Sequence, residues 1–270
     1  MTAIHPTQSR TDTALVTGAS SGIGEAIARV LAQARHNLVL VARSEAKLQR
    51  IARELSQQFG VQAEIVVLDL ATPDAARALA QNLERAGLRI DVLVNNAGYG
   101  LHGEFADMDE AQLVGMLHLN VVSLTRLTRL LLPEMCRQNH GRILNVASTA
   151  AFQPGPLMAV YCATKAYVLS FSEALHSELS GTGVSGTTLC PGATRTGFHT
   201  VANTSKTRLL QGGGVMDAET VARLGIRGLL NRQRLVIPGL KNRILARTVG
   251  FMPRGLTLKV SRQLLSPASG

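Results

Sequence analysis

The sequence predicts an α/β fold: a doubly wound parallel sheet with helices on both faces, followed by a basic C-terminal extension. Three observations carry this. Short apolar runs alternate with longer helical stretches along most of the chain. The first run leads directly into a glycine-rich turn and then a helix. The composition, 46% hydrophobic and 17% charged, belongs to a packed chain and not to a disordered one.

Taken in order, the apolar run Ala14–Thr17 meets the turn and is followed by a helical stretch, Ile23–Ala34. Leu38–Ala42 leads into a charged helix, Ser44–Phe59. Then come a run at Ala63–Leu68, a helix near Pro73–Ala86 and a run at Val92–Val94. One long helix is expected from about Asp109 to Gln138, then a strand at Arg142–Ala147. A helix near Met158–Leu179 precedes the strand Val184–Leu189. Continuous apolar strands separated by helices of this length mean βαβ units and a sheet buried on both faces. After Cys190 the alternation loosens into a Gly/Thr/Ser-rich stretch, Pro191–Met216, of the kind that is often functional. A helix at Ala218–Leu230 and a strand near Leu235–Pro238 close the sheet. The chain thus divides into a flexible N-terminus (1–11), one domain (12–240) with a substrate lid at about 193–217, and a basic amphipathic appendage (241–270).

Composition narrows the function. The 270 residues carry a net charge of +10, but unevenly. Residues 1–200 hold 16 basic and 16 acidic side chains, whereas 201–270 hold 12 basic and 2 acidic ones. The excess concerns the C-terminal region alone, not a nucleic-acid-binding protein as a whole. An aromatic content of 3% with no Trp argues against a single-strand nucleic-acid binder. The cysteines Cys136, Cys162 and Cys190 have neither disulfide nor zinc-ligand spacing and read as small buried apolar residues. The seven histidines show no metal spacing; His199, near the predicted site, is the one to watch. The polar segment 1–12 holds no apolar run of signal-peptide type, and no stretch is long and apolar enough to span a bilayer. A cytoplasmic protein is expected, unless the tail docks on a surface.

The turn reads Thr17-Gly18-Ala19-Ser20-Ser21-Gly22-Ile23-Gly24. Glycines let the chain turn sharply and let backbone approach a pyrophosphate, and the helix that follows offers free N–H groups. A nucleotide site is therefore expected over Gly18, Ser20, Ser21, Gly22, Ile23 and Gly24. A unit selective for NAD places an acid at the end of the second strand. Here that position is Arg43, whose guanidinium suits a 2′-phosphate, so NADP(H) is favoured over NAD(H).

Further on stand Asn95-Asn96-Ala97-Gly98 after a strand, Asn120 in the long helix, Ser148 after a strand, and Tyr161-Cys162-Ala163-Thr164-Lys165. With the glycine-rich turn, these resemble the short-chain dehydrogenase/reductase family in order and spacing over about residues 12–240. The resemblance implies a Rossmann-type sheet and hydride transfer between a nicotinamide and a carbonyl or secondary alcohol. It implies Tyr161 as general acid/base and Lys165 as its electrostatic partner and a ribose ligand. Ser148 would polarise the carbonyl, and Asn120 would hold a water relaying protons to Lys165. Tyr161 and Lys165, at i and i+4, share a helix face, and the ammonium is expected to lower the phenol pKa. The resemblance also implies that Asp69 and Leu70 meet the adenine and that Asn95, Ala97 and Gly98 line the ribose. Asn95 equally reads as a strand-end cap. Pro191, Gly192, Thr194 and Thr196 would hold the nicotinamide amide.

Pocket walls are expected from Phe152, Pro154, Leu157, Met158, Phe198 and Met216, which suit a hydrophobic substrate; the same side chains also read as core or subunit interface. The resemblance implies a homodimer or homotetramer and a small-molecule substrate, and gives no sign of nucleic acid. The tail resembles that of a bacterial subgroup of the family. Its apolar and basic residues suit packing on the protein, on a partner subunit or on a membrane surface. A non-catalytic NADP(H)-binding regulator and a membrane-surface lipid or acyl reductase are the alternative functions.

Overall fold

The computed structural model describes residues 11–198, 202, 204, 207, 208 and 215–266. His5, His199 and much of the expected lid lie outside these residues, as does the expected flexible N-terminus apart from residue 11. The strands are β1 (Thr13–Thr17), β2 (Asn37–Ala42), β3 (Ala63–Val67), β4 (Val92–Asn95), β5 (Gly141–Val146), β6 (Val184–Leu189), β7 (Thr194–Arg195), β8 (Met216–Asp217) and β9 (Leu235–Val236). The helices are α1 (Gly22–Gln33), α2 (Glu45–Phe59), α3 (Ala75–Arg85), α4 (Glu110–Leu117), α5 (Leu124–Arg137), α6 (Ala159–Glu178), α7 (Ala218–Leu230), α8 (Leu240–Thr248) and α9 (Arg254–Leu265).

Seven strands form one sheet in the order β3-β2-β1-β4-β5-β6-β9, every neighbouring pair parallel. Side chains along a strand alternate between faces, so each apolar run feeds two cores. Ala14, Val16, Leu38, Leu40, Val92 and Val94 pack with Ile27, Leu31, Leu48, Ile51 and Ile226 of α1, α2 and α7. Leu15, Val39, Val41 and Leu93 pack on the other face with Leu79, Leu127, Met135 and Leu175 of α3, α5 and α6. Burying each of these leucines stabilises the fold by roughly 1.5–3 kcal/mol.

Three departures from the sequence-based expectation have physical causes. The long helix is interrupted by a π-helical turn, His118–Ser123, between α4 and α5. Strand β9 stops at Val236, because Pro238 has no N–H to give the ladder and Gly239 turns away with φ +87°. Finally, β7 and β8 pair in a small parallel ladder, Thr194 with Met216 and Arg195 with Asp217, which ties the two ends of the intervening stretch together.

At the N-terminal edge of the sheet, Asp91 is buried at 1% exposure and accepts from the Thr13 N–H at 2.9 Å and from Arg89 Nε at 2.8 Å. Asp12 lies 3.0 Å from His140 and 3.9 Å from Arg142. The cluster gathers the starts of β1, β4 and β5 with its carboxylates already balanced by arginines. The candidate site residues lie at the other end of the sheet.

Candidate active site

The strand order reverses direction of winding between β1 and β4, and open sheets of this kind bind their ligands at such a crevice, at the carboxyl ends of the strands. The turn after β1 is stapled to β4. Thr17 Oγ1 accepts from the Asn96 and Ala97 N–H groups at 3.0 Å each, and donates to the Val94 carbonyl at 3.2 Å. Asn96 Nδ2 donates to the carbonyls of Thr17 at 2.9 Å and Gly18 at 3.3 Å. Gly18 and Gly22 adopt φ +67° and +59°, which a side chain would strain. A Cβ on Gly22 would stand 3.1 Å from Thr196, so the segment after β6 arches over the turn. A Cβ on Gly24 would stand 2.2 Å from the Gly18 carbonyl, which closes that position to any side chain.

Ser21 caps α1 without a side-chain hydrogen bond, and the first-turn N–H groups have no partners within the helix. The cradle of Gly18, Ser20, Ser21, Gly22, Ile23 and Gly24 therefore fits a pyrophosphate. Arg43 follows β2 with its side chain 78% exposed, 3.9 Å from Asp69, the outer limit of an ion pair. Asp69 Oδ1 accepts from the Ala71 N–H at 2.9 Å, and Leu70 is buried with its carbonyl accepting from Ser123 Oγ at 2.5 Å.

Asn95 is buried and joins β4 to its neighbours: its Nδ2 donates to Asn145 Oδ1 at 2.8 Å and Thr128 Oγ1 at 3.0 Å. Asn95 thus ties β4 to β5 and α5 through side chains, while its Oδ1 is buried without a hydrogen-bond partner. The Pro191 carbonyl accepts from Thr149 N at 2.9 Å, and Thr194 Oγ1 donates to the Gly192 carbonyl at 3.0 Å. Both bonds shape the segment that carries Thr196 over the turn.

Asn120, Ser148, Tyr161 and Lys165 come from three different parts of the chain and converge beside this crevice. Asn120 sits on the π-helical turn, where its side chain clamps the backbone of Tyr99. Its Oδ1 accepts from Tyr99 N at 3.2 Å and its Nδ2 donates to Tyr99 O at 2.9 Å. The same Nδ2 lies 3.1 Å from Thr164 Oγ1, and Thr164 donates to the Tyr161 carbonyl at 2.7 Å. Lys165 Nζ donates to the Val146 carbonyl at 2.9 Å and lies 5.8 Å from the centre of the Tyr161 ring. A Cβ on Gly98 would touch Asn120 Oδ1 at 2.9 Å and Lys165 Nζ at 3.5 Å, so backbone, amide and ammonium are packed together. Ser148 follows β5 and caps a short 3₁₀ turn, accepting from Ala150 N at 3.1 Å.

The electrostatics differ from the expectation in one respect. Burial holds the Tyr161 phenol well above its ordinary value, opposed only in part by the hydrogen bond with Ser148. The lowering expected from the Lys165 ammonium does not appear; burial is the largest cause of the rise, and Cys162 and Cys190 add to it. Burial also pulls Lys165 down from 10.5 to about 8, which leaves it mostly charged at neutral pH. Cys190 is pushed up to about 12 by burial and Cys162 to about 11, so neither is a reactive thiol.

Of the expected pocket walls, Phe198 packs on Tyr161 with ring centroids 5.4 Å apart, and Met158 belongs to the same cluster. Leu157 adopts φ +69° just before α6, a left-handed conformation costing a leucine about 1–3 kcal/mol. Its carbonyl accepts from Gly103 N at 2.9 Å. Phe152 instead packs among Leu124, Ala151 and Val168, and Met216 packs against the α1–α7 core. Asn96 and Thr164 were not singled out from the sequence, although both stand inside the quoted motifs. Their importance lies in partners far along the chain.

A family model described as short chain dehydrogenase matches residues 12–207. The chain is 39% identical over 176 residues to a very-long-chain 3-oxoacyl-CoA reductase of Anas platyrhynchos, covering 63% of this chain and only 56% of that protein. It is 34% identical over 226 residues to ketoacyl reductase HetN of Nostoc sp., covering 83% of this chain and 77% of that one. The short-chain dehydrogenase from Sphingobium yanoikuyae, solved in complex with NADPH, superposes with a TM-score of 0.80 at 34% identity, over 91% of this chain and 94% of that one.

Proposed function

The chain belongs to the short-chain dehydrogenase family, and from that premise we propose that it is an NADP(H)-dependent reductase of hydrophobic carbonyl compounds. The observation that carries the reading is the convergence of Asn120, Ser148, Tyr161 and Lys165 on one side of the crevice. When bound, the nicotinamide supplies the hydride to the carbonyl carbon.

The chain's own residues do the rest. Gly18 to Gly24 hold the pyrophosphate, Arg43 the 2′-phosphate, and Asp69 with Leu70 the adenine. Asn95, Ala97, Gly98 and Lys165 serve the ribose side, and Pro191, Gly192, Thr194 and Thr196 the amide. Tyr161, kept protonated by burial, is in the form that donates: its hydroxyl gives a proton to the carbonyl oxygen. Ser148 holds that oxygen by a hydrogen bond. The Lys165 ammonium stabilises the phenolate left behind, and Asn120 keeps a water on the path from Lys165 to solvent.

Phe198, Met158 and the end of α9 at Leu265 cluster with Tyr161, which supports an apolar substrate. The relatives named for 3-oxoacyl and ketoacyl reduction support the same class. The exposed apolar residues Val114, Leu117, Leu130 and Tyr167 of α4, α5 and α6 support a homo-oligomer. The three free cysteines support a reducing, cytoplasmic setting. In this reading 12–240 is the working unit and 241–270 an appendage to it.

The test is Tyr161→Phe assayed with NADPH over ketones and 3-oxoacyl thioesters. The turnover number should fall about 10²–10⁴-fold while cofactor affinity is kept. A variant that turns over at the wild-type rate would remove Tyr161 from the chemistry.

A further inference from the structure

The two C-terminal helices carry their amphipathicity the wrong way round for a segment that only packs on its own protein. In α9 the buried side chains are Thr257 and Ser261, while Leu256, Leu258, Val260 and Leu264 are exposed. In α8 the inward side is Asn242, which donates to the Pro238 carbonyl at 2.7 Å and lies against Gly192. Leu240 and Ile244 face outward, and at 100° per residue Arg243 and Arg247 flank them on one side and Lys241 on the other. Between the helices Phe251 is 91% exposed, on a chain whose composition includes only 6 phenylalanines. A core-facing helix does the opposite, turning its apolar stripe inward. Leu256, Val260 and Leu264 recur every four residues along one face of α9, and an exposed apolar stripe of this kind marks a docking site.

Charge identifies what docks. From Val221 to Gly270 there is no Asp or Glu. Arg262 is paired with Glu104 at 2.7 Å, whereas Lys241, Arg243, Arg247, Arg254 and Lys259 have no acidic partner within their own segment. A second copy packed here by two-fold symmetry would set this cationic face against itself. The surface instead asks for a partner that is apolar in depth and anionic at its rim.

We propose that α8, Phe251 and α9 dock on an anionic lipid bilayer. Phe251, Leu240 and Ile244 enter the boundary between headgroups and acyl chains, and the flanking arginines and lysines extend to the lipid phosphates. No helix among the described residues is long and apolar enough to cross a membrane, so the helices lie on the surface and do not span it. The proposal does not depend on the chemistry assigned to Tyr161.

The experiment is flotation of the full chain with phosphatidylcholine vesicles and with vesicles of phosphatidylcholine and phosphatidylglycerol. The protein should float only with the anionic vesicles and be released by salt. Arg243→Ala and Arg247→Ala should each weaken binding roughly fivefold. Ile244→Ser with Phe251→Ser should abolish it, with an unchanged thermal midpoint because both side chains are exposed. No flotation with anionic vesicles would overturn the proposal. So would flotation indifferent to the Ile244→Ser and Phe251→Ser changes. A dimer in solution that dissociates on those same changes, without vesicle binding, would assign the face to a second copy.

Discussion

Replacing Lys165 by methionine should make the protein more stable at neutral pH while destroying its activity. Lys165 is 6% exposed, and burial draws its pKa from 10.5 to about 8. At 1.36 kcal/mol per unit, holding the charged form inside costs the native state roughly 3 kcal/mol. Methionine fills a similar volume without the charge, but leaves the Val146 carbonyl, now 2.9 Å from Nζ, without its donor. That loss is about 1–3 kcal/mol. The balance is a gain of about 0–2 kcal/mol at pH 7.

The pH dependence is sharper than the balance. The folded-state pKa lies below the unfolded one, so the unfolded chain binds more protons between about 8 and 10.5, and wild-type stability from this group rises with pH. The cost of the charge is full below pH 8 and disappears as pH approaches 10.5. The advantage of Lys165→Met should therefore shrink by roughly 3 kcal/mol over that window. Other groups titrating there are common to both proteins and cancel in the difference. Urea unfolding of both proteins at pH 7 and pH 10, followed by circular dichroism, measures it. A variant destabilised by the same amount at both pH values would refute the reasoning.

Two further outcomes are expected. Arg43→Ala should weaken NADPH by roughly ten- to a hundredfold, the worth of a charge-assisted hydrogen bond, and leave NADH nearly unaffected in a fluorescence titration; equal loss for both would remove the 2′-phosphate role. Asp91→Ala should lower stability by about 3–5 kcal/mol in urea, because it strips a buried carboxylate from Arg89 and the Thr13 N–H; a change within 1 kcal/mol, roughly that of an exposed pair, would show the cluster to be dispensable.

Ala14–Val16, Leu38–Ala42 and Val92–Val94 were legible because strands buried on both faces read as unbroken apolar runs. Val184–Leu189, by contrast, is buried although Ser185, Gly186, Thr187 and Thr188 interrupt its apolar pattern, and β3 at the sheet edge is partly exposed. The glycine-rich turn and the Tyr161–Lys165 pair were legible because their chemistry is local in sequence. The π-helical turn was not, since one extra residue in a turn leaves the apolar pattern of 110–137 nearly unchanged. Asn120 gains its meaning from the backbone of Tyr99, which spacing cannot reveal. The β7–β8 ladder joins pairs of residues too short to carry any period. Spacing places the Lys165 ammonium near Tyr161 but does not reveal the burial that raises its phenol. The tail was legible as amphipathic and basic, yet not which side turns inward: Asn242, Thr257 and Ser261 do, with Leu265 at the end of the same face of α9.

Asn96 and Thr17 hold the phosphate-binding turn to strand β4 with hydrogen bonds made within the chain. The ordering of that turn is therefore completed during folding, not at the moment of ligand capture. Cofactor binding at this end of the crevice resembles a key entering a finished lock, and should show little entropy loss from the protein and little dependence of its on-rate on loop motion. Asn96→Ala would move that cost from folding to binding, so a loosened turn would appear as weaker capture in a protein whose sheet is otherwise intact.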